Sequence, residues 1–381
     1  MLLAAALALA APAVALAGPA ATPARSSAIS GDPSQDAPRA FEYAVREWAR
    51  RHRLRGATLA VIHRDRLILT AGHGARAADA AVPLASLSKA VTAACVATLV
   101  DAGRIRLDGT LAELLPELVA RVGRARDSQL GSITVAQLLT HRAGLGADGR
   151  ADPGVTALWA LARTTELAQI PLAAIVERAL REPLGSAPGA RFRYSNAGYL
   201  ALGAIVERVT GIPYAAACAE RVLAPLGIAE PRLDPTWGVL ASTGGWRLSG
   251  PEYLALVRSL EPHRPGPVGP VMRRWMLEPS GKEIGTGSTF YSLGLFVRGD
   301  ASGWTWWHTG SWVTRGRRGP RGLIEASFAT LVTRTQGGTT WFVSCEPDPG
   351  PAARAALEVA FRRASARRWP DRDGFPALGL R

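Results

Sequence analysis

The chain has 381 residues, 48% hydrophobic and 20% charged, which excludes global disorder and leaves enough length for a sizeable core. Its net charge is +14, and all of its 45 basic residues except Lys89 and Lys282 are arginine. The arginines carry no nucleic-acid motif, so no nucleic-acid partner is expected, and their spread reads as a solvated surface with some attraction to anionic envelope polymers or membranes.

Residues 1–17 are almost wholly apolar and end in Ala15-Leu16-Ala17, the pattern of a secretory signal peptide with a weak basic start. Residues 18–37, rich in Ala, Pro, Ser and Gly, read as a flexible leader, so a periplasmic or secreted protein is expected. An amphipathic helix follows over 39–53, with Phe41, Ala44, Val45 and Trp48 at helical spacing. The stretches 58–62 and 67–70 form a predicted β-hairpin. Residues 86–101 make a helix apolar on nearly every side, and such a helix belongs inside the protein. Further helices are predicted near 133–140, near 171–181 and from Asn196 to Gly211. Strands are predicted over 291–297, 304–308, 328–334 and 340–345, before a last helix over 351–364. No segment after residue 17 is apolar for long enough to span a bilayer.

Strands at both ends therefore bracket a helical middle. The expected fold is α+β: an antiparallel sheet flanked by helices, carrying an inserted all-helical lobe with a cleft at the junction. The predicted division is an α/β subdomain from 38–85 plus 285–368, a mainly helical subdomain from 86–284, and a C-terminal tail at 369–381. The three cysteines, Cys95, Cys218 and Cys345, are too few and too widely spaced for a disulfide framework or a zinc site. No metal and no cofactor are expected.

Chemistry enters with Ser86-Leu87-Ser88-Lys89 at the start of the buried helix. Three residues of separation put both side chains on one helix face. A serine hydroxyl needs a proton acceptor to become a nucleophile, and a desolvated lysine can supply one. Arginine cannot deprotonate, so a lysine in the most apolar helix of an arginine-writing chain points to chemistry rather than to an ion pair. Tyr194-Ser195-Asn196 opens another helix. A phenol beside a cation can shuttle a proton, and Asn196 can hold a substrate amide or carbonyl. His308-Thr309-Gly310-Ser311 ends a predicted strand, where Gly310 would admit substrate to the strand edge and the Ser311 backbone N–H could complete an oxyanion hole with that of Ser86. His141 is expected to fix a loop by hydrogen bonding.

Together Ser86-x-x-Lys89, Tyr194-x-Asn196 and His308-Thr309-Gly310 resemble the motifs of the serine β-lactamases and penicillin-binding proteins, in the branch whose second motif is Y-x-N: class C β-lactamases, D-alanyl-D-alanine carboxypeptidases and related esterases. The flanking stretches 138–145, 188–196 and 225–228 agree, and the resemblance covers residues 40 to 365. It implies a β-lactamase/transpeptidase-like fold and a serine hydrolase. Ser86 would attack a carbonyl to form an acyl-enzyme, Lys89 and Tyr194 would share the acid and base work, and Asn196, His308, Thr309, Gly310 and Ser311 would bind substrate. An ester, a D-amino-acid amide or peptide, or a β-lactam would fit. The alternatives are an acyltransferase using the same residues and a non-catalytic module for cell-wall peptides or penicillin. Three departures stand out. His308 replaces the lysine usual in class C β-lactamases, the stretch 74–86 is short, and Trp312 with the basic run Arg315–Arg321 replaces small residues. That run is expected to rim the cleft and favour anionic substrates.

Overall fold

The structure is a computed structural model that describes residues 36–122, 129–146, 148–229, 232–285, 287–300, 303–319 and 322–381. The expected signal peptide, and the leader apart from its last two residues, lie outside the described residues.

A seven-stranded antiparallel sheet is assembled from both ends of the chain. Its strands are β1 (Gly56–His63), β2 (Arg66–Gly74), β5 (Thr289–Ser292), β6 (Leu295–Asp300), β7 (Gly303–Gly319), β8 (Gly322–Arg334) and β9 (Thr339–Glu346), in the spatial order β2-β1-β9-β8-β7-β6-β5. The two-residue strands β3 (Val82–Pro83) and β4 (Arg247–Leu248) pair separately. Pairing of β1 with β9, from Gly56↔Glu346 to His63↔Thr339, closes the sheet across the chain termini.

Strand alternation splits β1 between two cores. Ala57, Leu59 and Val61 join Trp341, Val343 and Cys345 of β9 under the helices Ala37–Arg51 and Pro351–Ser365, whose Phe41, Val45, Leu357 and Phe361 complete that layer. Ala60 and Ile62 face the other way, with Phe342, into the larger core beneath the helical lobe. A strand covered on both faces is apolar throughout, which is why only His63 of β1 escapes full burial. The mixed helix and antiparallel-sheet architecture agrees with the expected fold class.

The helix Ser88–Asp101 is buried at every position from Ser88 to Leu99. The helix Asn196–Thr210 crosses behind it and stops at Gly211, whose left-handed φ of 76° caps it. Among the described residues no single helix is long and apolar enough to cross a membrane.

Two sequence-based expectations change. The predicted strand 291–297 is a hairpin: β5 and β6 are joined through Leu293 and Gly294, at φ 44° and 80°. Unbroken burial of Tyr291, Leu293 and Leu295 hides this turn in the apolar pattern. The predicted strand 304–308 continues as β7 to Gly319 and returns as β8 from Gly322. Arg315, Arg317 and Arg318 of the basic run therefore lie on β7, while the side chains of the run, and its last two residues, lie outside the described residues. The last residues of the chain are stitched down. The backbone N–H of Gly374 donates to the Leu67 carbonyl and that of Arg381 to the Leu226 carbonyl, while the Arg258 guanidinium sits 3.9 Å from the Phe375 ring centre.

Candidate active site

Ser86 sits in the short turn Ala85–Leu87 that leads into the helix Ser88–Asp101. The turn is held from two sides. The Leu84 N–H donates to the Trp246 carbonyl, and the Leu84 carbonyl accepts from Thr330 Oγ1 of β8 at 2.7 Å. Ala85 takes φ 45°, a left-handed conformation that costs an alanine about 1–2 kcal/mol and persists only when its surroundings impose it. Gly310 of β7 packs directly against this turn: a Cβ there would come within 2.7 Å of the Leu84 carbonyl oxygen and 2.9 Å of Ala85 Cβ. Gly310 thus lets strand and turn meet.

One turn along, Lys89 is wholly buried, and its amine points inward. Nζ lies 3.3 Å from Ser86 Oγ, 2.8 Å from Asn196 Oδ1 and 2.9 Å from the Thr243 carbonyl oxygen. Burial pulls its pKa down to about 7, against the Asp152 charge, which raises it. Gly294 presses on the same helix: a Cβ there would lie 2.5 Å from Ala90 Cα.

The Tyr194 ring centre is 4.8 Å from Lys89 Nζ. Its ring is half-buried, but its hydroxyl is shielded and without a hydrogen bond of ordinary geometry. Burial raises the phenol pKa above its usual value, and the nearby Ser86 hydroxyl offsets only part of that. The residue is therefore a neutral phenol beside the nucleophile. Asn196 opens its helix without capping it. Instead Asp152 caps two helices at once: Oδ2 accepts from Ser195 Oγ and the Asn196 N–H, both at 2.8 Å, and Oδ1 accepts from the N–H groups of Gly154 and Val155.

His308 is buried on the same face of β7 as Gly310 and Trp312. Its Nδ1 lies 2.8 Å from the Thr309 carbonyl, which can only accept, so Nδ1 carries the proton and Nε2 accepts from the Tyr291 hydroxyl at 3.1 Å. Burial, reinforced by the Lys89 charge, lowers its pKa to about 3, so the imidazole is neutral. His141 behaves as expected of a loop-fixing residue. Its Nδ1 accepts the Ser195 N–H at 3.1 Å, and burial holds its pKa well below the usual histidine range. Thr309 is exposed and Ser311 half-buried, on the opposite face from Gly310. Neither side chain therefore points toward the Ser86 turn, and any part they take there is through the backbone. Pairing of β6 with β7 stops at Trp307, so among the described residues that edge of β7 is unpaired in the sheet from His308 onward.

The structure thus brings Ser86, Lys89, Tyr194 and Asn196 together and sets Gly310 against the same turn. Sequence reasoning missed Asp152 and Thr243. Asp152-Pro153 carries a helix-start signature that could have flagged the first. Thr243 acts through a backbone carbonyl, which no side-chain pattern announces.

Residues 40–339 match the family model described as Beta-lactamase. Among curated proteins, Esterase EstB of Burkholderia gladioli is 32% identical over 201 residues, covering 50% of this chain and 49% of the relative. Penicillin-binding protein 4 of Amycolatopsis lactamdurans is 31% identical over 233 residues, covering 58% and 56%. The chain thus spans about half the length of these curated relatives. Two solved structures share the fold. A D-stereospecific amidohydrolase from Streptomyces sp. superposes with TM-score 0.64 at 22% identity, covering 85% of this chain and 98% of the other. EstCE1, a hydrolase with promiscuous acyltransferase activity, superposes with TM-score 0.67 at 16% identity, covering 86% and 99%.

Proposed function

The chain belongs to the Beta-lactamase family, and on that footing we propose that it is a serine hydrolase that cleaves uncharged esters and amides through a covalent acyl-enzyme on Ser86. One observation carries the reading. A neutral lysine has two N–H donors and one lone pair, and two acceptors, Asn196 Oδ1 and the Thr243 carbonyl, already claim the donors. The lone pair is left for the third neighbour, Ser86 Oγ, at 3.3 Å. With its pKa near 7, a substantial fraction of Lys89 is neutral at physiological pH.

The steps follow from this arrangement. Ser86 Oγ bonds to the substrate carbonyl carbon as its proton passes to Lys89 Nζ. Tyr194, kept protonated by burial, donates its phenolic proton to the leaving oxygen or nitrogen as that bond breaks, and recovers a proton from the Lys89 ammonium. A water then attacks the acyl carbon, gives its proton back through the same groups, and releases the acid from Ser86. Backbone N–H groups of Ser86 and of Ser311, on the free edge of β7, would hold the oxyanion. Thr309 lines the same edge with its side chain exposed.

His308 shapes the substrate class. A neutral imidazole locked between Tyr291 and the Thr309 carbonyl offers no permanent cation to a substrate carboxylate, which favours neutral esters and amides over β-lactams. The similarity to an esterase, and the fold shared with an amidohydrolase, support the same order. The test is a panel of nitrophenyl acetate, D-alanine amide and nitrocefin, run beside fluorophosphonate labelling. Labelling that disappears in Ser86→Ala, with ester turnover well ahead of nitrocefin, is the expected result. No labelling and no turnover would make the protein a binding module instead.

A further inference from the structure

Behind the Lys89 amine lies a set of buried polar groups that the steps above do not use. Trp246 Nε1 is 3.1 Å from Tyr214 Oη, which is 2.7 Å from Thr92 Oγ1, which is 2.7 Å from the Ser242 carbonyl oxygen. The shortest contacts set the direction of this chain. A carbonyl only accepts, and Thr92 Oγ1 lies nearer the Ser242 oxygen, at 2.7 Å, than the Ser88 carbonyl oxygen at 3.4 Å, so the Thr92 hydroxyl proton goes to Ser242. An indole N–H only donates, so Tyr214 accepts from Trp246 and gives its own proton to Thr92.

The chain starts at Trp246 and ends at Ser242. It therefore closes over the segment that contains Thr243, whose carbonyl holds the amine. The Trp246 backbone N–H donates to Ser88 Oγ at 3.2 Å. Ser88 and Thr92 flank Lys89 on its own helix, and all of these side chains are buried. Gly203 of the helix Asn196–Thr210 lets the segment lie this close: a Cβ there would come within 2.7 Å of Ser242 Cβ. Tyr214, which begins the separate helix Tyr214–Cys218, is the link between the helix that carries the amine and the segment that carries its acceptor.

We propose that Tyr214 is a positioning residue for Lys89: through Trp246, Thr92 and Ser242 it pins the Thr243 carbonyl and so aims the lysine lone pair at Ser86. The proposal rests on the reading of Lys89 as the base that activates Ser86. If the carbonyl swings away, one N–H loses its partner, and the amine is free to rotate its lone pair off the nucleophile.

The chain has only two lysines, so a protein labelled with carbon-13 at the lysine Cε positions shows two resonances, and Lys89→Gln assigns them. In Tyr214→Phe the Lys89 titration midpoint is expected to fall by about half a pH unit or more, because a carbonyl that stabilises the ammonium is no longer held in place. Ester kcat should fall about tenfold with KM within about twofold, and the acidic limb of the rate profile should move with the midpoint. Thr92→Val breaks the same chain one link on and should reproduce the shift, while Thr92→Ser keeps the hydroxyl and should restore wild-type behaviour. An unmoved Lys89 midpoint in either Tyr214→Phe or Thr92→Val overturns the proposal, whatever happens to the melting temperature. Failure of the underlying reading looks different: the midpoint moves, yet wild-type Ser86 takes no fluorophosphonate.

Discussion

The two lysines make an instructive pair. Both are buried, and both have depressed pKa values, Lys89 to about 7 and Lys282 to about 8, with burial the main cause in each case. Yet Lys282 rests 3.9 Å from the Trp275 ring centre and donates to the Trp275 carbonyl, with no hydroxyl partner beside its amine among the described residues. Lys89 has two fixed acceptors and a serine hydroxyl as its third neighbour. Burial alone therefore tunes a lysine without giving it work. What separates the two is the direction in which the lone pair is left to point.

The sharpest way to break this comparison is to exchange each lysine for arginine. Lys89→Arg should cut the acylation rate by at least about 10³-fold, because a guanidinium cannot take a proton. Lys282→Arg should leave it within about twofold. Pre-steady-state release of nitrophenol reads both, and a Lys89→Arg enzyme retaining a tenth of wild-type rate would put the base elsewhere. Next in size is Gly294→Ala. Its methyl group would press on the backbone at Lys89 and Ala90, and its φ of 80° suits only glycine, so about a 10²-fold loss of kcat is expected together with a lower melting temperature. A normal rate in that variant would mean that the hairpin turn can retreat without moving Lys89.

Smaller again is the response to pH. If Lys89 is the base, as proposed, it must be neutral, so activity should fall as pH falls through about 7, with the rate at pH 6 about one tenth of that at pH 8. His308, near 3, should add no second step between pH 5 and 8 on the order of the first. A further inflection in that window would show that His308 is charged in the working enzyme. The smallest effect is expected from Lys282→Met, which should lower stability by about 1 kcal/mol through loss of its contact with Trp275, with turnover unchanged. Urea unfolding measures the first quantity and the ester assay the second.

Legibility in the sequence varied with the physics of each part. The hairpin of β1 and β2, the buried helix after Ser86 and the helix from Asn196 to Gly211 were readable because apolar runs of strand or helix length, bounded by turn residues, are written in side chains. The turn at Leu293-Gly294 was not, because its apolar residues are buried on both sides of the reversal. Composition together with an apolar helix singled out Lys89, whereas composition alone would also have pointed to Lys282, whose amine rests against Trp275. Asp152 lies 44 residues from Asn196, and Thr243 is 154 residues from Lys89, so neither contact is local.

By itself the sequence determined which groups are available: a hydroxyl and an amine three residues apart, a phenol, an amide and a glycine strand edge, in an order shared with one family. Only the tertiary structure decided how they work together, because the deciding contacts run through backbone carbonyls and close approaches rather than side-chain identity. The Thr243 carbonyl orients the amine, Gly310 lets a strand meet the turn that carries Ser86, Gly294 lets a hairpin turn meet the helix that carries Lys89, and burial of that lysine brings its pKa near neutrality. A linear pattern can name a base, but a lone pair acquires its direction only when three distant segments close around it.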